Sequence, residues 1–371
     1  MSSQRTTLSS ESFRKTFLRR FAKTTLLAGV VAAFLGCAGA TYQFLGTWRD
    51  DRRFPQHGRS FYVGKTKLNL DCEGDRGHAG IPTVILDSGL GVPALGWIRV
   101  QPQVASFARV CSYDRAGYGW SDEGSEPRTS LEIAKELRAL LDSAGERGPY
   151  VVVGHSFGGF NMRVFTSLFP AEVAGGILVE GSQEDEDQSM SQLLPPSVIE
   201  RETKNDLWND RVSRFLRPVR IRFGIERLQI VTGWGASSYG MLQSARSLPK
   251  EVREELFYLR QQGKFQRAVE AETTAWADSI AEIRKAGNFG SRPLIVLTAD
   301  NPLDADPILT QEQMQKLKNV WIHVLQVREA HLSTRGKQII VSNSTHMVPF
   351  DRPDAVLSAI HEVWSAVRDE R

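Results

Sequence analysis

Ser156 stands in Gly154-His-Ser-Phe-Gly158, preceded by the β-branched run Val151-Val152-Val153 and followed by Met162, Val164, Phe165 and Leu168 at helical spacing. A strand before and a helix after make this G-x-S-x-G string a candidate nucleophile elbow. The two glycines leave no Cβ to obstruct a strained turn, and the hydroxyl is lifted to the top of the sheet. The Phe157 amide, at the helix N-terminus, is aimed where an oxyanion would form. A serine hydroxyl also needs a base to take its proton and a third group to hold that base in one tautomer. His346, in the loop Ser344-Thr-His-Met-Val-Pro349 after the last apolar strand pattern, is the candidate base. The other six histidines, His57, His78, His155, His323, His331 and His361, read as exposed or as satisfied core positions. Glu180 closes the run Ile177-Leu-Val-Glu180. A carboxylate there is costly to bury without a partner, and a histidine is such a partner.

The elements that must position these residues follow from periodicity. Phe61 to Val63 and Lys67 to Cys72 about Gly64 predict a β-hairpin. Further strands are predicted at Pro82 to Asp87, Arg109 to Tyr113, Gly176 to Val179, Pro293 to Thr298 and Gln338 to Val341. Helices are predicted over Leu131 to Leu141 with Ser130 as N-cap, around Gln311 to Ser333, and over Ala355 to Val367. Alternating strand and helix imply an α/β fold: a mostly parallel sheet, helices on both faces, and ligands at the carboxyl ends of the strands. Between 183 and 288 strand patterns give way to helical ones punctuated by Pro195, Pro196 and Pro218, which reads as a helical cap. The core is then 61–182 and 289–371. Within the cap, Arg211, Arg214, Arg217, Arg220 and Arg222 interleave with Phe215, Leu216, Val219, Ile221 and Phe223. A solvated charged helix face explains this pattern best, and anionic headgroups would also accept it.

Residues 1–23 are polar and basic, with Arg14, Lys15, Arg19, Arg20 and Lys23, and 24–48 carry no charge. A membrane span needs ~20 residues, so this stretch reads as a single-pass signal anchor. The basic cluster would stay cytoplasmic and the domain behind it would lie on the non-cytoplasmic side. Export after cleavage is the alternative, either behind Ala38-Gly39-Ala40 or through a twin-arginine signal at Arg19-Arg20. Residues 49–60 read as a linker. A formal net charge of +3 and three widely spaced cysteines, Cys37, Cys72 and Cys111, offer neither a nucleic-acid footprint nor a zinc spacing. Cys72 and Cys111 are expected to be buried thiols in strands rather than a bridge.

Taken together, the chain resembles the α/β-hydrolase superfamily, in its serine-nucleophile branch with a helical cap, over about residues 60 to 371. Five stretches carry the resemblance in order: Asp87-Ser-Gly-Leu-Gly91, Tyr113-Asp-Arg-Ala-Gly-Tyr-Gly-Trp-Ser-Asp122, Gly154 to Gly158, Val173 to Glu180, and Thr345-His-Met347. The resemblance implies that Leu90 and Phe157 supply the backbone oxyanion donors, and that Asp114, Arg115, Ser121 and Asp122 shape the site floor. It also puts Asp300, after the strand that follows the cap, in competition with Glu180 as the acid. Glu180 is favoured, Asp300 is the alternative, and Asp304 and Asp306 read as surface. The expected activity is hydrolysis of a carboxylic ester, or else of an amide or thioester, on a small-molecule acyl substrate. Acyl transfer on the same triad and a non-catalytic ligand-binding module are the alternatives. No metal or organic cofactor is implied. Trp97, Trp120, Trp208, Trp234 and Trp276 read as core packing, with an acyl pocket as the other use.

Overall fold

The computed structural model describes residues 3–78, 80–232, 245–303 and 308–370, with side chains except at 3–16, 202–203, 205–211 and 213–215. Trp234, Asp304, Asp306 and the side chains of Trp208, Arg211, Arg214 and Phe215 lie outside the described residues. Two compact units form, Met1–Arg53 with Leu207–Ser238, and Phe54–Asp206 with Tyr239–Arg371.

The first unit is built on α1 (Ser3–Arg53), a continuous helix. Its stretch Phe17–Arg53 is long and apolar enough to cross a membrane. The stretch read as a linker is divided, because 49–53 continue α1 and β1 begins at Arg59. Nothing breaks the helix until Pro55, which disfavours helical geometry at Phe54.

The second unit is an eight-stranded sheet of β1 (Arg59–Val63), β2 (Thr66–Glu73), β3 (Thr83–Asp87), β4 (Val110–Tyr113), β5 (Tyr150–His155), β6 (Val173–Val179), β7 (Gly290–Ala299) and β8 (Ser333–Val341). The order is β1-β2-β4-β3-β5-β6-β7-β8. β1 and β2 pair antiparallel, as do β2 and β4, and every other pair is parallel. Strand periodicity sorts the core. Ile85, Tyr150, Val152, Leu294 and Val296 face one side, and Val84, Leu86, Val151, Val153, Ile295 and Leu297 the other.

Helices cover both faces. After α2 (Gln101–Val104), α3 (Ser130–Ser143) and α4 (Phe157–Leu168) cover the first side. Thr129, one residue before the expected Ser130, caps α3 by accepting from Glu132 N. The second side is covered by the C-terminal helix Pro353–Asp369, whose Val356, Ile360, Val363 and Trp364 are buried there. Between β6 and β7 run α5 (Glu186–Ser191), α6 (Pro196–Arg222), α7 (Ile225–Thr232), α8 (Lys250–Arg260), α9 (Gly263–Thr274) and α10 (Trp276–Ile283), with no strand among the described residues. After β7 come α11 (Gln311–Val320), a π-helical turn at Trp321–Leu325 and α12 (Gln326–Ala330), and after β8 the short α13 (Val348–Asp351).

The expectation of two free thiols in strands is overturned, since Cys72 and Cys111 form a disulfide. The reason is register: β2 and β4 are antiparallel neighbours, and Cys72 lies directly opposite Cys111. Single-strand periodicity carries no information about that pairing.

Candidate active site

Ser156, between β5 and α4 at the N-cap position, has φ 52° and ψ −122°, far from either regular region. Among the described residues only Ser156, Glu180 and Asn343 combine a side chain with positive φ. They sit just past the carboxyl ends of β5, β6 and β8 respectively, so backbone strain is concentrated at one edge of the sheet. The elbow has no room for larger residues. A Cβ on Gly154 would lie 2.3 Å from Gly158 O, and one on Gly158 would lie 2.5 Å from Asp87 O. Backbone bonds lock the turn to β6, Ser156 N donating to Val179 O at 3.1 Å and Ser182 N to Ser156 O at 3.1 Å. Phe157 is the first residue of α4, where an amide has no acceptor within its own helix.

His346 comes to this edge on the loop after β8. Its Nδ1 lies 3.2 Å from Glu180 Oε2, across 166 residues of sequence. Glu180 is wholly buried while the His346 side chain is 38% exposed. Burial of that carboxylate is compensated by donors: Ala299 N reaches Oε1 at 2.7 Å, and Trp321 Nε1 reaches Oε2 at 3.0 Å and Oε1 at 3.2 Å. A carboxylate only accepts, so the imidazole nitrogen facing it carries the proton and Nε2 is left for a hydroxyl.

Asp300 is engaged elsewhere. Its oxygens accept from Asn343 N at 3.0 Å and Ser344 N at 3.1 Å, which fastens the loop leading to His346. Burial pushes its carboxyl up, but the Ser344 and Asn343 amides outweigh that and hold it below the ordinary carboxylate range.

Residues 84–359 match the model of the alpha/beta hydrolase family. The chain belongs to that family. An uncharacterised Bacillus subtilis protein, YqjL, is 27% identical over 292 residues, 78% of this chain and 86% of that protein. An uncharacterised vacuolar membrane protein of Saccharomyces cerevisiae is 30% identical over 161 residues, 38% of this chain but only 25% of its own length. The chain thus spans well under two thirds of that curated relative. A thermophilic esterase from Thermogutta terrifontis shares the fold with a TM-score of 0.54 at 18% identity, covering 84% of this chain and all of that one. Family membership supports hydrolase activity in general.

In this hydrolase-family chain the loop carrying Leu90 is held from below by buried charge. Arg115 donates to Asp87 at 2.8 Å, to Ser88 O at 2.6 Å, to Gly89 O at 3.0 Å and to both oxygens of Glu272 on α9. Tyr118 donates to Glu272 Oε2 at 2.6 Å and accepts from Gly91 N at 3.0 Å. Asp114 accepts from Asn69 Nδ2, Ala94 N and Trp120 N, which ties this stretch to β2 and to the turn that follows Gly91.

Sequence reasoning missed three further side chains. Trp321 left no motif, because nothing local distinguishes it from a core tryptophan. His155 is buried and its Nε2 lies 2.9 Å from the His346 carbonyl. Burial pushes its pKa down to about 3, so the ring is neutral and donates to that carbonyl. Its position next to Ser156 was the available signal. Glu186, at the start of α5, has its pKa pushed up to about 7 by burial and feels both His346 and Glu180. Of the described tryptophans, Trp97 is buried in the core and Trp276 packs, tilted, against Phe157 at 5.3 Å and Phe160 at 5.4 Å between ring centroids. Cys72, Cys111 and Glu146 have the spacing of metal ligands, yet the cysteines are bridged and Arg76 and Arg109 hold Glu146.

Proposed function

We propose that the chain is a membrane-anchored serine hydrolase that cleaves carboxylic esters through an acyl-enzyme. Ser156 Oγ attacks the carbonyl carbon while His346 Nε2 takes its proton. Glu180 holds the imidazole by Nδ1 and stabilises the imidazolium that forms. The Leu90 and Phe157 amides receive the developing oxyanion, each worth ~3 kcal/mol of barrier. His346 then protonates the leaving alcohol, and water, activated by the same histidine, releases the acid. The observation that carries this reading is the 3.2 Å approach of His346 Nδ1 to a wholly buried Glu180, which follows the strand next to the one that ends at the strained Ser156. Burying a carboxylate is costly, and a histidine partner at a sheet edge gives that cost a use.

α1 serves as a single-pass anchor in this reading, with the catalytic domain on the non-cytoplasmic side. Two observations favour that side: the basic residues before the apolar stretch, and the Cys72–Cys111 bridge, since such bridges persist in oxidising compartments.

The direct test is fluorophosphonate labelling and p-nitrophenyl ester hydrolysis by the full chain in detergent. The parent is expected to label and turn over, and Ser156→Ala to lose both, with turnover falling on the order of 10⁶-fold. A parent that neither labels nor hydrolyses would return the chain to the ligand-binding reading. Maleimide adducts test the side of the membrane. Protein from its native membrane should add one at Cys37 before reduction and three after, and three adducts without reductant would place the domain in a reducing compartment.

A further inference from the structure

Within the first unit, the Phe223–Gly224 turn between α6 and α7, with Arg227 beyond it, packs along α1. Gly39 accommodates this contact, since its Cβ would lie 2.3 Å from Phe223 O, and Gly36 faces the Phe223 ring. The contact climbs α1 as the chain proceeds. Gly224, turning at φ +67°, lies against Gly39 O and Tyr42. Arg227 then meets Gly46, Gln43 at 3.2 Å and Asp50 at 2.7 Å. α6 and α7 therefore form a hairpin whose Phe223–Gly224 turn marks its lowest level on α1.

That level can be placed against a bilayer. A hydrocarbon core of ~30 Å takes ~20 helical residues, so a span entered at Thr24 leaves the core near Gln43. Gly36 and Gly39 then lie about 10 and 6 Å inside the boundary at 1.5 Å per residue, and the hairpin turn shares their depth. An interfacial helix buries its apolar face by a similar ~5–10 Å. The outward residues of the turn suit this position, for Phe223 and Ile225, on either side of Gly224, are exposed, while Leu228 and Val231 follow Arg227, which already meets Gly46 and Asp50 above the boundary. The hairpin's inward charge is paired, Arg227 with Asp50 and Arg217 with Glu226, and Arg220 donates to Gln229. The Arg222 stem is long enough to carry its guanidinium group out to the phosphate level.

We infer that the hairpin of α6 and α7 is docked on α1 with its Phe223–Ile225 end immersed in the leaflet that α1 leaves near Gln43, and with anionic headgroups as the polar partner of that end. In this reading the solvated charged face expected from the sequence gives way, at this end, to one whose Arg222 meets phosphate while Phe223 and Ile225 meet acyl chains. This rests on the reading of α1 as a membrane span.

The test uses the full chain with Cys37→Ser, carrying an environment-sensitive nitrobenzoxadiazole label at Ile225→Cys in the immersed end, at Val231→Cys above the boundary or, within the span, at Val30→Cys. Each protein is placed in phosphatidylcholine–phosphatidylglycerol vesicles containing doxyl-labelled lipid. The label at 225 is expected to lose emission to shallow doxyl groups and to resist aqueous iodide, and the label at 231 to be quenched by iodide. Omitting phosphatidylglycerol should weaken the doxyl quenching at 225, and Arg222→Gln should remove that dependence. A label at 225 quenched by iodide alone, with quenching at Val30 by deep doxyl groups intact, would overturn the immersed hairpin and leave the span standing. Loss of lipid quenching at Val30 as well would overturn the span, and the hairpin with it.

Discussion

The carboxyl ends of β6 and β7 are neighbours in the sheet, and each is followed at once by an acid, yet the two acids live under different physics. Glu180 is wholly buried, has positive φ, and has an indole, a backbone amide and an imidazole around its oxygens. Asp300 lies nearer the surface, and the Asn343 and Ser344 amides occupy its oxygens. The difference teaches that an acid is read from what its oxygens face. Glu180 turns one oxygen to a titratable ring, whereas Asp300 is a brace for the loop that carries that ring.

The largest test of the comparison is Glu180→Gln. Steady-state kinetics should show kcat reduced on the order of 10⁴-fold with KM little changed, because the variant keeps the shape and loses the charge opposite the imidazole. An equal loss from Asp300→Asn would reverse the two roles. Trp321→Phe should lower kcat/KM by about tenfold, one lost hydrogen bond to a charged group. It should also move the acid limb of the pH–rate profile upward, since a carboxylate with one donor fewer attracts the imidazole proton more strongly. A purely structural tryptophan would lower activity without moving that limb.

Asp300→Asn belongs to stability rather than chemistry. Denaturant melts should show a loss of about 1 kcal/mol, with kcat/KM close to the parent. The smallest effect at neutral pH concerns His155. Its folded pKa, about 3, lies below the 6.5 of an unfolded histidine, so the unfolded state binds the extra proton between those values. Stability is complete above pH 6.5 and declines as the pH falls toward 3. His155→Gln, which keeps a donor for the His346 carbonyl, should flatten that decline in urea midpoints measured across the acid range. An unchanged slope would show that other groups govern acid unfolding.

Much of the fold was legible because local sterics and side-chain periodicity write it into short stretches. The Gly154 to Gly158 elbow, the strands on either side of it and the loop bearing His346 are each specified within about a dozen residues by period-2 alternation, helical spacing and glycine. The uncharged run of α1 is equally local. Glu180 could be favoured from sequence only because an acid ending an apolar strand is anomalous.

What tertiary structure alone decided are the contacts whose partners lie far apart in the chain. The Cys72–Cys111 bridge depends on which strands are neighbours and in what register, and no single strand encodes that. The Trp321 and His155 bonds around Glu180 and His346, and the Arg115–Glu272 tie beneath the Leu90 loop, depend on how strand ends and helices converge. The hairpin on α1 likewise appears only when Phe223 meets Gly39. The sequence by itself determined the elements and the candidates for nucleophile and base, since each follows from residues a turn or a strand apart. Packing decided the acid's surroundings, the bridge and the hairpin's seat, since their energies depend on pairs that only the folded chain brings within bonding distance.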